Sequence, residues 1–373
     1  MQGTVPFSEV IGHPKVITVL RAMLAADRVP HAMLFAGPRG VGKFSVARIF
    51  AQAANCERLR DDACGECDNC RRIGRLADLD TLVRQGLETR GESADAATVE
   101  RVPLLVETHP DVWVVVPDPV RLKNPVARPV LRVGQLRAVQ RAAYFKPTAR
   151  RRVFIVDGAE TMRADLANIF LKILEEPPET ATLMLLTTNP YLLLPTIRSR
   201  CQTFLFAPLE TAQVETILER RNPKLAAADR KLAAQFAEGS AGAALELDPA
   251  EAVALRRSVL GVLATSLEPH GSGDLFAKTA ELAKGLEVPF ETVLEMFYSL
   301  LTDLLELSAG SKEPLLRNPA LAKDLVSLSR RIDPNWVTRA VDGLDELTRR
   351  LRRNINKQLG LDAVAVSLAE NHR

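Results

Sequence analysis

By its hydrophobic pattern the chain falls into two parts. Up to Pro208, short apolar runs alternate with stretches whose apolar residues recur at three and four. Beyond Pro208 the short runs vanish and only the helical spacing continues. A short apolar run bounded by turn residues reads as a strand buried on both faces; recurrence at three and four reads as one face of a helix. The predicted strands are residues 32–36, 112–116, 153–156, 182–187 and 203–206. The predicted helices between them are 16–26, 44–53, 133–145 and 162–174, the last stopped by Pro177-Pro178. Strands alternating with helices predict a parallel α/β sheet. Residues 80–107 are polar and poorly periodic and read as a long loop or partly disordered insertion. Residues 119–129 are a Pro-rich linker.

After Pro208, Ala-, Leu- and Glu-rich helical patterns run on, broken at Asn222-Pro223, 238–242, 269–273 and Asp333-Pro334. Val337, Val341, Leu344, Leu347 and Leu351 mark a late helix with a basic end at Arg349, Arg350, Arg352 and Arg353. That charge suits a helix C-terminus and reads as a solvated face. The shift in texture gives a boundary near 208, hence an α/β domain over 1–207 followed by helical structure over 208–373.

Composition changes this picture little. At 373 residues the chain exceeds one ordinary domain. A net charge of +3 gives no global pull toward nucleic acid or an anionic membrane. No apolar run approaches a membrane span, and residues 1–7 lack the basic and apolar regions of a secretory signal. A cytoplasmic protein is expected, with its five cysteines reduced or metal-bound.

The strand at 32–36 runs into Gly37, Gly40 and Gly42, then Lys43 and a helix. Strand, Gly-rich loop, Lys and helix make a phosphate-binding loop: backbone N–H groups and the helix start cradle phosphate while the lysine reaches the terminal phosphates. The pattern G-x-x-x-x-G-K-[ST] fails at its last place, where Phe44 stands instead of a magnesium-binding hydroxyl. Ser45 comes one residue late, about 100° further round the helix. Asp157 ends a buried strand, where a magnesium-orienting carboxylate belongs, and Gly158 follows where many nucleotide hydrolases place a glutamate. Thr188, at the tip of the 182–187 strand, is placed to touch a γ-phosphate or to cap a turn.

Cys56, Cys64, Cys67 and Cys70 fall as C-x7-C-x2-C-x2-C, with Gly65 allowing a tight knuckle. Four such thiols suit structural, tetrahedral zinc. An iron–sulfur cluster is the rival, but no fourth Cys followed by Pro comes after Cys70. Arg150-Arg151-Arg152 reads as a solvated turn or a nucleic-acid contact. Arg198 and Arg200 sit in a short polar element before Cys201.

These residues, with Val10-Ile11-Gly12, His31-Ala32-x-Leu34-Phe35-x-Gly37-Pro38, His109-Pro110-Asp111, Leu174-Glu175-Glu176-Pro177-Pro178, Leu194 to Gln202 and the tail Asn354-x-Asn356-x2-Leu359-x-Leu361-Asp362, resemble the bacterial DNA polymerase III clamp-loader subunits of the AAA+ class. The resemblance implies a P-loop α/β module with a small zinc-binding insertion, a helical lid (208–250) and a helical C-terminal collar (251–373). It implies ATP and magnesium as ligands, with Val10, Ile11, Gly37, Gly40, Gly42, Lys43, Phe44, Ser45, Asp157 and Thr188 at the nucleotide positions. It implies as partners the gamma/tau and delta subunits in a hetero-pentamer, the sliding clamp and primer–template DNA, with no membrane. The family's motor subunits carry Thr after the loop lysine, an acid after the strand-end aspartate and an arginine in a Gly-Ser-x-Arg turn. Here those places hold Phe44, Gly158 and Gly242. The departures imply weak or absent hydrolysis and a stator role, with Arg200 offered to ATP on a neighbouring subunit. An active motor of the same architecture is the alternative.

Overall fold

The structure is a computed structural model describing residues 5–91, 95–119, 129–268, 272–284, 288–310, 314–351 and 355–370. The late basic positions Arg352 and Arg353, the tail residue Asn354 and most of the 119–129 linker lie outside the described residues. The fold consists of two compact units, 1–217 with 239–242, and 218–238 with 243–373.

In the first unit, six strands form one sheet. They are β1 (Ala32–Ala36), β2 (Val106–His109), β3 (Val112–Val115), β4 (Arg152–Val156), β5 (Ala181–Thr187) and β6 (Gln202–Leu205), in the order β2-β3-β4-β5-β1-β6. All neighbours are parallel except β2 and β3, which are antiparallel. Every residue of β1, β4 and β5 is buried, as expected for central strands covered on both faces. The register aligns Ala36 with Thr187 and with Leu205, and Val156 with Leu185. The C-terminal ends of β1, β4 and β5 therefore meet along one edge of the sheet, where ligands of open α/β folds bind.

Helices α1 (Pro14–Ala25), α2 (Lys43–Ala54), α3 (Asp68–Gly74), α4 (Leu79–Arg90) and α5 (Ala96–Arg101) all come before β2. The 80–107 stretch is thus a helical insertion, not a loop, among its described residues. Leu79, Leu82, Val83 and Leu87 form the inner stripe of α4 and pack on the core around β1 and β3. Its last residue, Arg90, makes a fully buried bidentate pair with Asp118, at 2.6 and 2.9 Å. From α5, Glu100 accepts the Gly134 N–H at 2.6 Å, capping the start of α6 (Val133–Ala143). Short elements α7 (Ala164–Glu175) and α8 (Pro195–Arg198) follow, with Phe170, Ile173, Leu174 and Ile197 in the core on the other face of the sheet.

α9 (Thr211–Arg221), α10 (Ala227–Phe236) and α11 (Ala241–Glu246) lead into α12 (Pro249–Thr265), α13 (Ser272–Lys284), α14 (Phe290–Ser308), α15 (Ala322–Ser329), α16 (Pro334–Leu351) and α17 (Lys357–Glu370). The last six share one core, with Trp336, Phe297, Leu300 and Leu304 at its centre. Within the second unit a buried polar network ties α10 to this bundle. The Arg256 guanidinium stacks 3.7 Å over Phe236 and donates to Asn318 at 2.7 Å, while Asn318 donates to Asp303 at 2.8 Å. Burial lowers the Arg256 pKa to about 10.

Candidate nucleotide and metal sites

The phosphate loop is built by backbone conformations that favour glycine. Gly40 and Gly42 have φ of 73° and 102°, in the left-handed region. A side chain at Gly37 would put Cβ 2.1 Å from the Phe206 carbonyl oxygen, so that position is closed to any other residue. The Gly37 N–H donates to Thr187 O at 3.2 Å, fixing the loop to the tip of β5. The first residue of α2, Lys43, is buried, and its ammonium donates to Gly37 O at 2.7 Å and Pro38 O at 2.6 Å. Burial lowers its pKa, opposed by the charges of Asp157 and Glu160. His13 starts α1 in the left-handed conformation, and its Nε2 lies 2.8 Å from Val41 O. Its ring stands 4.7 Å from that of Phe206. Val10 packs against the core just before, beside Ile11, which is partly buried.

Asp157 follows β4, and its N–H bonds to Val115 O at 2.9 Å. Burial pushes its carboxyl up, with the Gly158 N–H at 3.0 Å and Lys43 acting the other way. Gly158 has φ of 66°, and a Cβ there would meet Pro117 Cγ at 2.8 Å. An acidic side chain at this position is therefore excluded unless the 115–118 stretch moves. Glu160, which the sequence reading passed over, lies in the next turn. Its Oε1 accepts from Thr188 N at 3.2 Å and Thr188 Oγ1 at 2.5 Å. Burial works to raise its pKa, but hydrogen bonds from Thr188 and Thr187 outweigh that and hold it below the usual glutamate range. Lys43, Asp157, Glu160 and Thr188 thus share one sheet edge. Phe44 is partly buried against the core and Ser45 faces solvent, so neither puts a hydroxyl there. Gly242 donates to Gly40 O at 2.9 Å, and a Cβ on Gly242 would lie 3.0 Å from Gly40 Cα. The glycine at the arginine place lets this turn close directly on the phosphate loop.

Arg200 belongs to a different group. Its guanidinium donates to Glu175 Oε1 at 2.9 Å and Thr196 O at 3.0 Å, and it remains about a third exposed, at 37%. Glu175 is the first acid of the Glu-Glu-Pro-Pro stretch; only the fold shows that it holds Arg200. Arg198 instead stacks 5.2 Å over the exposed Tyr191 ring.

The four cysteine sulfurs all lie within 4.8 Å of one another, and Cys56, Cys67 and Cys70 are buried. A tetrahedral zinc with Zn–S of about 2.3 Å sets its sulfurs about 3.8 Å apart, so the donors fit that ion with small adjustments. Backbone N–H groups point at the sulfurs: Leu59 at Cys56, Cys67 at Cys64 and Cys70 at Cys67, at 3.3, 3.3 and 3.4 Å. Gly65 makes the knuckle at φ of 76°. Burial opposes ionisation of Cys64, but N–H groups of Cys67 and Glu66 carry it down to about 7. Burial and the neighbouring thiols push Cys70 up. Such a set could hold a metal cation, around which its thiols ionise together. The knot is anchored from afar. Asn55 Oδ1 accepts from Arg150 N at 3.1 Å and Arg151 N at 2.9 Å. The Arg150 guanidinium donates to the carbonyls of Ala53, Cys56 and Leu59. The Arg150–Arg152 tract is therefore an anchor and not a solvated turn. Cys201, by contrast, is raised to about 12 by burial and stands apart from the knot.

The family described as DNA polymerase III, delta subunit, matches residues 12–210, more than half of the chain. The chain belongs to that family. Subunit tau of Escherichia coli (strain K12) is 34% identical over 248 residues, covering 65% of this chain and 32% of the relative. Subunit tau of Bacillus subtilis (strain 168) is 24% identical over 386 residues, covering 98% and 61%. Subunit delta' of the same Bacillus is 26% identical over 364 residues and covers 96% of both chains. The chain thus spans less than two thirds of either tau relative but nearly the whole of the delta' one. This polymerase III family member carries both the phosphate loop and the cysteine knot inside or beside the matched segment. Among the described residues no helix is long and apolar enough to cross a membrane.

Proposed function

We propose that this chain is the delta-prime-like stator of a bacterial clamp loader within the DNA polymerase III holoenzyme. It turns over little or no ATP itself and acts in the cytoplasm. It assembles with gamma/tau and delta subunits in a hetero-pentamer that places the sliding clamp on primer–template DNA. The observation that carries this reading is Gly158: its left-handed backbone and the closeness of Pro117 admit a water-activating acid only if the 115–118 stretch shifts. Phe44, which offers magnesium no hydroxyl, supports it. We assign Val10, Ile11, Gly37, Gly40, Gly42, Lys43, Phe44, Ser45, Asp157 and Thr188 to a nucleotide site that is weakly filled or empty, zinc to the four cysteines, and a transition-state role in trans to Arg200. We also assign 1–207 to the P-loop module, 208–250 to a lid and 251–373 to a collar.

One observation favours a second reading, an active gamma/tau-like motor. Glu160 places a carboxylate close enough to Lys43 for their charges to interact, and it already holds Thr188. Steady-state ATP hydrolysis by the pure chain separates the two. The stator reading expects background rates, unchanged in Lys43→Ala. Robust turnover that Lys43→Ala and Glu160→Gln both abolish would establish the motor.

A further inference from the structure

A cavity of about 500 Å³ opens beside the cysteine knot, and no phosphate-loop residue lines it. Its wall includes Arg60, Arg72, Arg150, His109, Asn69, Glu57 and the knot residue Cys56, three guanidiniums against one carboxylate and one metal-ligating thiolate. Burial lowers the Arg150 pKa and Arg60 lowers it further, against Cys56, Asp27 and Cys67; burial likewise lowers His109, with Arg72 adding to it and Asp111 and Asp68 opposing. His109 adds no charge of its own. Its Nδ1 accepts the Asp111 N–H at 3.1 Å, so Nε2 carries the proton and donates to Asn69 Oδ1 at 3.0 Å. Asn69 in turn donates to Asn55 O at 3.0 Å, so this wall is fixed to the knot. Arg150 is held by three carbonyls. Arg60 and Arg72 are exposed and available. Arg60 makes no ion pair among the described residues, and Arg72 has only a solvent-exposed contact to Asp68 at 3.5 Å, worth little.

Like charges gathered round an open cavity cost folding free energy, and an anion relieves that cost. The guanidinium fork matches phosphate oxygens. No Phe, Tyr or Trp lines the cavity, so it lacks a large aromatic platform for base stacking. We propose that this cavity binds the backbone phosphates of nucleic acid without reading sequence. Arg60 and Arg72 make the contacts, and Arg150 positions the wall. This inference is independent of the nucleotide-site and Arg200 readings.

The test uses the full zinc-bound chain and the variant Arg60→Ala/Arg72→Ala. Binding of a fluorescently labelled oligonucleotide is followed by anisotropy over a range of salt concentrations, with a poly-glutamate peptide as competitor. Loss of two phosphate contacts should weaken binding about tenfold at moderate salt and reduce the slope of log affinity against log salt by about 1.5. Oligonucleotides of different sequence should bind alike, and the single variant Arg60→Gln should lose about half of the slope change. Circular dichroism and zinc content should match wild type, since both side chains are exposed. Failure of the wild-type chain to bind at low salt would overturn the proposal, as would an unchanged slope in the double variant. Poly-glutamate binding lost in the double variant while oligonucleotide binding persists would also overturn it and assign the cavity to an acidic protein segment.

Discussion

Gly158 is where one residue decides the chemistry. Its φ of 66° favours glycine, and Pro117 stands where a Cβ would go. Gly158→Ala should cost about 2 kcal/mol in urea unfolding, from the left-handed backbone and the Pro117 contact together. A neutral substitution would mean that the 115–118 stretch yields freely, and the argument against an acid there would fail. His13 gives a second residue-scale prediction. Burial lowers its pKa, the Val41 carbonyl acts against that, and Lys43 adds to it. The folded chain therefore keeps His13 neutral where the unfolded chain takes up a proton. Its contribution to stability is present above the ordinary imidazole value of 6.5 and is lost as pH falls through the lowered folded value. His13→Asn, which tolerates the left-handed conformation, should flatten the fall in unfolding free energy below that pH. It should not abolish it, because burial shifts His109 in the same direction. Equal slopes in variant and wild type would show that His13 titrates alike in both states.

At the scale of elements, the cysteine knot behaves as a part with its own glue. Cys56, Ala63, Cys67 and Cys70 pack into the core around β1 and β3, and the metal should add the free energy that closes the knot. Elemental analysis should find zinc at about one per chain, and Cys67→Ser or a strong chelator should release it and lower the melting temperature. Iron in its place, or no metal after anaerobic preparation, would reject the assignment. Asn55→Ala should keep the metal yet cost about 1–2 kcal/mol, because two part-buried N–H groups lose their acceptor. The elements also show what the sequence made legible. The central strands β1, β4 and β5 were readable because every residue is buried, leaving uninterrupted apolar runs. The strand β2 was not, since its residues alternate between buried and exposed across Val-Glu-Thr-His. The stripe Leu79, Leu82, Val83 and Leu87 was present in the sequence, but the polar composition around it masked α4. The phosphate loop and the cysteines were legible because their parts are contiguous. The acceptor roles of Glu160 and Glu175 were not, since their partners lie 28 and 25 residues away and only folding brings them together.

At the scale of the whole molecule, what matters is what it offers to neighbours. Arg200 is about a third exposed and tethered by Glu175 and Thr196. In the reconstituted loader, Arg200→Ala should leave assembly intact and slow hydrolysis at the adjoining site by about 10³-fold, with a smaller fall in the total rate. Arg200→Lys should rescue little, since an ammonium lacks the planar fork. Wild-type loading by an assembled Arg200→Ala complex would return Arg200 to the surface.

The anchoring of the knot has a consequence for the order of synthesis. Asn55 lies 95 residues before the Arg150 amide that it accepts from. On a ribosome adding about 5–20 residues per second, the four cysteines emerge roughly 5–20 s before their anchor does. For that interval the nascent knot has only contacts within itself and to segments already made, such as Asp62 with the Phe7 N–H and Asp61 with Arg21. Metal capture can therefore precede docking against β4. Without its metal the chain would wait at that stage, with its thiols open to oxidants before the sheet that shelters them is complete.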